Sequence, residues 1–154
     1  MPYLYPSGVD EIVRFGLLGI AMSRYSGCWT GFKIVSDVAD SGKRYDTALE
    51  KFPIIIPDES FLGEYKDLPR NILYSDTPRD QDYRLQRAKG FAAQEFVRAN
   101  NIDVSMWKSG NSKMGIITAG KSYNDVREAL RWLDIDEAQA KELGICIYKV
   151  GMPW

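Results

Sequence analysis

The stretch GIITAGKS, Gly115–Ser122, decides how the C-terminal part of the chain is read. Its spacing satisfies the Walker A expression, in which a glycine-rich loop cradles phosphates. Such a loop needs its strand to end before the first glycine, so that the following backbone N–H groups can turn toward an anion. Here Gly115 is followed by Ile116, Ile117 and Thr118. Three β-branched residues in succession favour extended backbone and resist the φ > 0 turns of an anion nest. The strand is therefore expected to run through Thr118. Only Ala119-Gly120-Lys121 remains as a turn, with Ser122 capping the next helix and Asp125 three residues on. A loop that short cannot surround a triphosphate. The loose Walker B match, KIVSD ending at Asp37, also lies N-terminal to it. One weaker reading survives: Gly120, Lys121 and Ser122 put a cation at a helix N-terminus, a place suited to a single anionic group of a phosphate-bearing ligand.

Outward from this turn the pattern is α/β. SYNDVREALRWL reads as a helix with Val126, Ala129, Leu130 and Leu133 inward. DEAQAKELG is a short helix with Asp136 as cap and Gly144 as stop, and ICIYKVG is a strand. Strand, two helices and strand are the start of an open α/β sheet. Upstream, residues 80–99 read as a long helix with Leu85, Ala88, Ala92, Phe96 and Ala99 in one apolar stripe, and Arg84, Arg87, Lys89 and Glu95 toward water. KMGIITAG follows a loop containing Gly110.

At the other end, PSGVDEIVRFGLLGIAMSRYSG reads as a helix that is apolar nearly all round. Ser7 stands where an N-cap belongs, Asp10 and Glu11 fill the first turn, and Gly27 is the terminator. Gly16 and Gly19 let something pack close. A helix of this kind is buried on most faces, and, apart from a parent sheet, is expected to self-associate. CWTGFKIVSDVA reads as a buried strand ending near Asp37. Between the two halves, prolines 53, 57, 69 and 78 loosen the pattern, and FPIIIP reads as an edge strand in a connection with short strands. The divisions expected are 1–41, a linker over 42–79, and 80–154.

Composition narrows function. The 154 residues carry a net charge of −1 and no basic run, so nucleic-acid binding has no electrostatic support. There is no histidine, which excludes Ser-His-Asp and Cys-His catalysis and histidine-held zinc or haem within this chain. Cys28 and Cys146 are read as reduced, buried thiols of a cytoplasmic protein, too few for a four-cysteine centre. Cys28 follows a helix C-terminus, which raises rather than lowers a thiol pKa, so it reads as core. Arg24 has two readings, anion binding or, more favoured, carbonyl capping or a carboxylate pair. Tyr25, Trp29, Trp132 and Trp154 read as packing residues. MPYLYPSGVDE has no basic segment ahead of an apolar one, and IVRFGLLGIAM, broken by Arg14, is too short to span a bilayer.

The phrases SRYSGCW with GFK, TAGKSY with DVR, RLQRAKGFAAQEFVRANNID and YKVGMPW together resemble an internal segment of the indolepyruvate ferredoxin oxidoreductases, within the wider 2-oxoacid:ferredoxin oxidoreductases. The likeness is weak over about 42–79. It implies the end of a thiamine-diphosphate pyrimidine-binding-type domain joined to the start of a transketolase C-terminal-like open sheet. For the parent enzyme it implies oxidative decarboxylation of aryl 2-oxoacids. Thiamine diphosphate, Mg²⁺ and iron–sulfur clusters would serve it, with coenzyme A and ferredoxin as acceptors. This chain departs from such enzymes in lacking a cysteine cluster and a Gly-Asp-Gly motif. It is also expected to begin after the segment bearing the cofactor-activating glutamate, and to stop at Trp154 where relatives continue. No catalytic residue carries over, no cofactor is expected in the chain alone, and its partners are expected to be the parent's other domains or subunits, not nucleic acid or membrane.

Overall fold

The computed structural model describes residues 1–44, 53–108 and 110–154. The part of the expected linker at 45–52, including Phe52 of FPIIIP, lies outside the described residues. The architecture is mixed α/β with two small open sheets. The first contains β1 (Tyr3–Leu4) parallel to β2 (Gly31–Phe32), with α1 (Val9–Ser26) between them in sequence. The second has β3 (Val104–Met106), β4 (Met114–Ala119) and β5 (Ile145–Val150) in the order β3-β5-β4. β4 and β5 are parallel, with Ile116 opposite Ile147 and Thr118 opposite Lys149, while β3 runs antiparallel to β5. A parallel pair needs a crossover; α5 (Ser122–Trp132) and α6 (Glu137–Leu143) supply it.

Local chemistry sets several boundaries. Asp136 and Gln139 form a reciprocal capping box on α6, and Gly144 closes it at φ +77°. Gly27 closes α1 at φ +71°. Ser7, however, is not the cap of α1. Gly8 occupies that position, and the Ser7 amide and hydroxyl both donate to Glu11 Oε2, at 2.8 and 2.9 Å. The first-turn carboxylate thus reaches back to the chain entering the helix.

The helix expected over 80–99 starts two residues earlier, at Pro78, behind a Thr77–Asp80 capping box. It is three pieces: α3 (Pro78–Arg84), a π turn at Leu85–Lys89, and α4 (Gly90–Ala99). A π turn inserts a residue and rotates the preceding helix by roughly 100° relative to the following one. Arg84 is therefore buried against an equally buried Asp76 instead of facing water, and Leu85 is partly exposed instead of joining the stripe. Ala88 within the turn and Ala92 and Phe96 past it are buried as expected, joined by Ala93 and Val97.

The segment CWTGFKIVSDVA does not form one buried strand. Only Gly31–Phe32 pairs, Ser36–Ala39 makes a single helical turn (α2), and Trp29 is exposed. Its β-branched and aromatic residues have a two-residue neighbour to pair with, and propensity is realised only against a partner strand. Nor is 53–57 an edge strand. It has no regular secondary structure, and the buried Asn100 side chain takes the place of a neighbouring strand: its Oδ1 accepts from the Ile55 amide and its Nδ2 donates to the Ile55 carbonyl, both at 2.8 Å. The described part of the connection has a 3-10 turn (Ser60–Tyr65) and no strand. Asn100→Ala is expected to cost about 2 kcal/mol, because a buried group loses its bonds and the Ile55 amide loses its partner. Faster hydrogen exchange at Ile55 is the local check.

Two clusters form the core. Phe15, Leu18 and Met22 of α1 pack with Ala93, Phe96 and Val97 of α4, together with Leu4 and Ile102. Tyr123 and Leu130 of α5 pack on Ile147, with Met106, Val126 and Ile135 around them. The inner face of α5 is thus Tyr123, Val126 and Leu130; Ala129 and Leu133 are exposed. Trp132 and Trp154 are exposed rather than packed, Arg24 is exposed rather than buried, and Cys146 is only half-buried. Tyr25 does pack, its ring 5.9 Å from that of Phe96. Among the described residues, no helix is long and apolar enough to cross a membrane.

Candidate functional site

β4 delivers the chain to the turn, and its extended run includes Ile116, Ile117 and Thr118. The direction reverses at Gly120, whose φ is +53°. Lys121 is already helical, and Ser122 is the first residue of α5 rather than its cap. No side chain caps this helix: the Gly120 carbonyl accepts from the Tyr123 amide, and the Lys121 carbonyl from those of Asn124 and Asp125. The Ser122–Asp125 capping box is absent because Ser122 lies inside the helix and not at its cap, and Asp125 is engaged elsewhere. Its carboxylate takes Lys121 Nζ at 2.8 Å.

Lys121 is not free either. Beyond Asp125 it lies 3.4 Å from Asp37 at the start of α2. The hydrogen bond it donates to Asp125, then the further pull of both carboxylates, holds the ammonium above its usual pKa. The turn therefore presents a cation that two anions have claimed, one from a segment distant in sequence.

Behind it stands a group that pattern reading missed. Lys149, on β5, is buried. Its ammonium donates to Ser7 Oγ at 2.9 Å and to Glu11, and lies over the Tyr123 ring at 4.7 Å and near that of Phe15 at 5.9 Å. Asn124 of α5 donates to the Ser7 carbonyl at 2.7 Å, closing the joint. Burial draws the Lys149 pKa down, and the bond and charge of Glu11 offset part of that fall. The signal lay in the strand's alternation: Ile145, Ile147 and Lys149 share one face, so a lysine there faces the core.

Elsewhere a concavity of about 730 Å³ is lined by Cys28, Phe91, Gln94, Tyr148, Met152 and Trp154, among others. Cys28 is a free, buried thiol there.

The donor set does not fit an iron–sulfur cluster of the kind implied for the parent enzyme. Among the described residues no cluster of three or more His, Cys, Asp or Glu is positioned to hold a metal ion. The chain's two cysteines fall short of a cluster's four thiolates.

Comparison with known proteins agrees with the sequence likeness. The indolepyruvate oxidoreductase domain family matches residues 104–154, the stretch that forms the β3-β5-β4 sheet and its two helices. The chain is 30% identical over 151 residues to indolepyruvate oxidoreductase subunit IorA of Pyrococcus abyssi (strain GE5 / Orsay). That match covers 94% of this chain and 22% of the relative, so the chain spans under a quarter of its length. No solved structure matches. The chain is thus similar over 94% of its length to part of an indolepyruvate oxidoreductase subunit, and its C-terminal third matches the indolepyruvate oxidoreductase domain family.

Proposed function

We propose that this chain is a segment of a thiamine-diphosphate-dependent oxidoreductase that oxidatively decarboxylates aryl 2-oxoacids such as indolepyruvate to acyl-CoA, with ferredoxin as electron acceptor. In this reading residues 1–41 end a pyrimidine-binding-type unit, 42–79 link, and 80–154 begin a transketolase C-terminal-like sheet. The segment's role is to join these units and supply packing surface in a cytoplasmic enzyme. Thiamine diphosphate, Mg²⁺ and iron–sulfur clusters bind elsewhere in the parent, and the segment alone turns over nothing. The carrying observation is the likeness over 94% of the chain to 22% of the relative.

The test is dye reduction. The chain alone, given indolepyruvate, thiamine diphosphate, Mg²⁺, coenzyme A and a viologen, is expected to leave the dye oxidised; the polypeptide read through its flanking coding sequence is expected to reduce it. Turnover by the chain alone, or a reading frame of this length, overturns the proposal. The geometry favours less the alternative, a free-standing module that binds a phosphate-bearing ligand at Gly120–Ser122, because Asp37 and Asp125 hold Lys121. A ligand at 100 times its Kd adds about 2.7 kcal/mol of stability. Coenzyme A or ATP at millimolar concentration is therefore expected to leave the Tm unchanged.

A further inference from the structure

One face of α1 carries a hole and a knob a helical turn apart. At Gly16 an added Cβ would meet nothing within 4 Å, so the helix surface is open there. Four residues on, Ile20 is 57% exposed. Both line a groove of about 460 Å³ whose other wall holds Trp29, 81% exposed, and Phe32, 40% exposed. We infer that this face pairs two copies of the chain, α1 against α1 and antiparallel, with Ile20 of each copy seated over Gly16 of the other.

Self-complementarity selects the second copy over another occupant. In an antiparallel helix pair related by a two-fold axis, a hole and a knob one turn apart meet each other twice, which is the isologous condition. Glycine at the crossing lets the two backbones approach closely. The area is also of the right order. With aromatic side chains of roughly 150–250 Å², Trp29, Phe32 and Ile20 together expose on the order of 350 Å². A stable interface buries roughly 800 Å² per partner, of which roughly 60% is apolar. Most of the required apolar area is thus present before the groove walls are added. The inference goes beyond the functional reading and does not rest on it: loss of pairing would leave the dye-reduction test unaffected.

Sedimentation equilibrium of the chain tests it. The expected mass is twice the 17.5 kDa monomer. Gly16→Leu, which fills the hole where there is room to do so, and Ile20→Glu are each expected to weaken pairing at least about tenfold in Kd. Both should keep the helical circular dichroism of the parent. Exchanging knob and hole in the double variant Gly16→Leu with Ile20→Ala is expected to recover pairing. A wild-type monomer at high concentration overturns the inference, as does a dimer indifferent to both single changes. A monomer whose binding to the parent's remaining polypeptide is lost in Gly16→Leu also overturns it, by giving the face to that polypeptide.

Discussion

Glu11→Ala is expected to lower stability by about 3–5 kcal/mol, the cost of leaving a buried charge without its partner. Glu11 binds the Lys149 ammonium with one oxygen and the Ser7 amide and hydroxyl with the other. Its removal leaves Lys149 buried between the Tyr123 and Phe15 rings with, among the described residues, only Ser7 Oγ to accept from it. In urea this is a drop of roughly 2 M in the midpoint, at a slope near 2 kcal/mol/M. The pair Glu11→Leu with Lys149→Met is expected to recover most of the loss, since apolar replacement of a buried ion pair is commonly neutral or better. A single variant within about 1 kcal/mol of the parent would mean that water reaches Lys149.

The same joint gives stability a direction with pH. Burial places the folded-state pKa of Lys149 below the ordinary lysine value of 10.5. Between that lowered value and 10.5 the unfolded chain binds more protons than the folded one, so this group makes stability rise with pH across the window. Below the window its unfavourable contribution is constant. In Glu11→Gln the offsetting carboxylate is gone, the Lys149 pKa falls further, and the rising limb is expected to begin at lower pH. Urea midpoints taken across neutral to alkaline pH check this, and superimposable profiles for the two proteins would contradict it.

What was legible in the sequence was what local chemistry determines. Asp136 and Gly144 bound α6 as read, because a cap and a left-handed glycine act within one turn of the chain. The run Ile116-Ile117-Thr118 is strand for the reason its side chains give, which removes the mechanics of a Walker loop whatever the spacing. The errors have tertiary causes. CWTGFKIVSDVA has strand-forming residues but almost no strand to pair with. Asn100 replaces a strand beside Ile55, which no residue pattern around 53–57 announces. The π turn at Leu85–Lys89 exchanges the environments of Arg84 and Leu85, and a periodic reading assumes that no such insertion occurs. At the candidate site, Gly120 as the bend was legible. That Asp37 reaches Lys121, and that Lys149 reaches Glu11, was not, because both pairs join segments far apart in the chain.

Gly120→Val is expected to cost about 3 kcal/mol or more, from two independent terms. The first is conformational: φ +53° lies in the left-handed region, costing roughly 1–2 kcal/mol for a non-glycine residue and more for a β-branched one. The second is steric. A Cβ at Gly120 would overlap the Tyr5 ring. That ring carries Lys33 Nζ 4.6 Å from its centroid, and the Tyr5 amide donates to the Gly151 carbonyl at 2.8 Å, so moving it disturbs the tie between the N-terminal segment and the end of β5. Gly120→Ala carries the same left-handed φ and the same Cβ overlap without the β-branch, and should lose about 2 kcal/mol or more. Lys121→Met, by contrast, removes solvent-screened ion pairs with Asp125 and Asp37 and is expected to change stability least of the three. This ordering separates a structural turn from a phosphate loop, in which the lysine is the residue that matters most to the ligand. Urea unfolding of the three variants measures it. A Gly120→Val protein within about 0.5 kcal/mol of the parent would mean that the Tyr5 ring swings aside freely and that the bend does not need glycine.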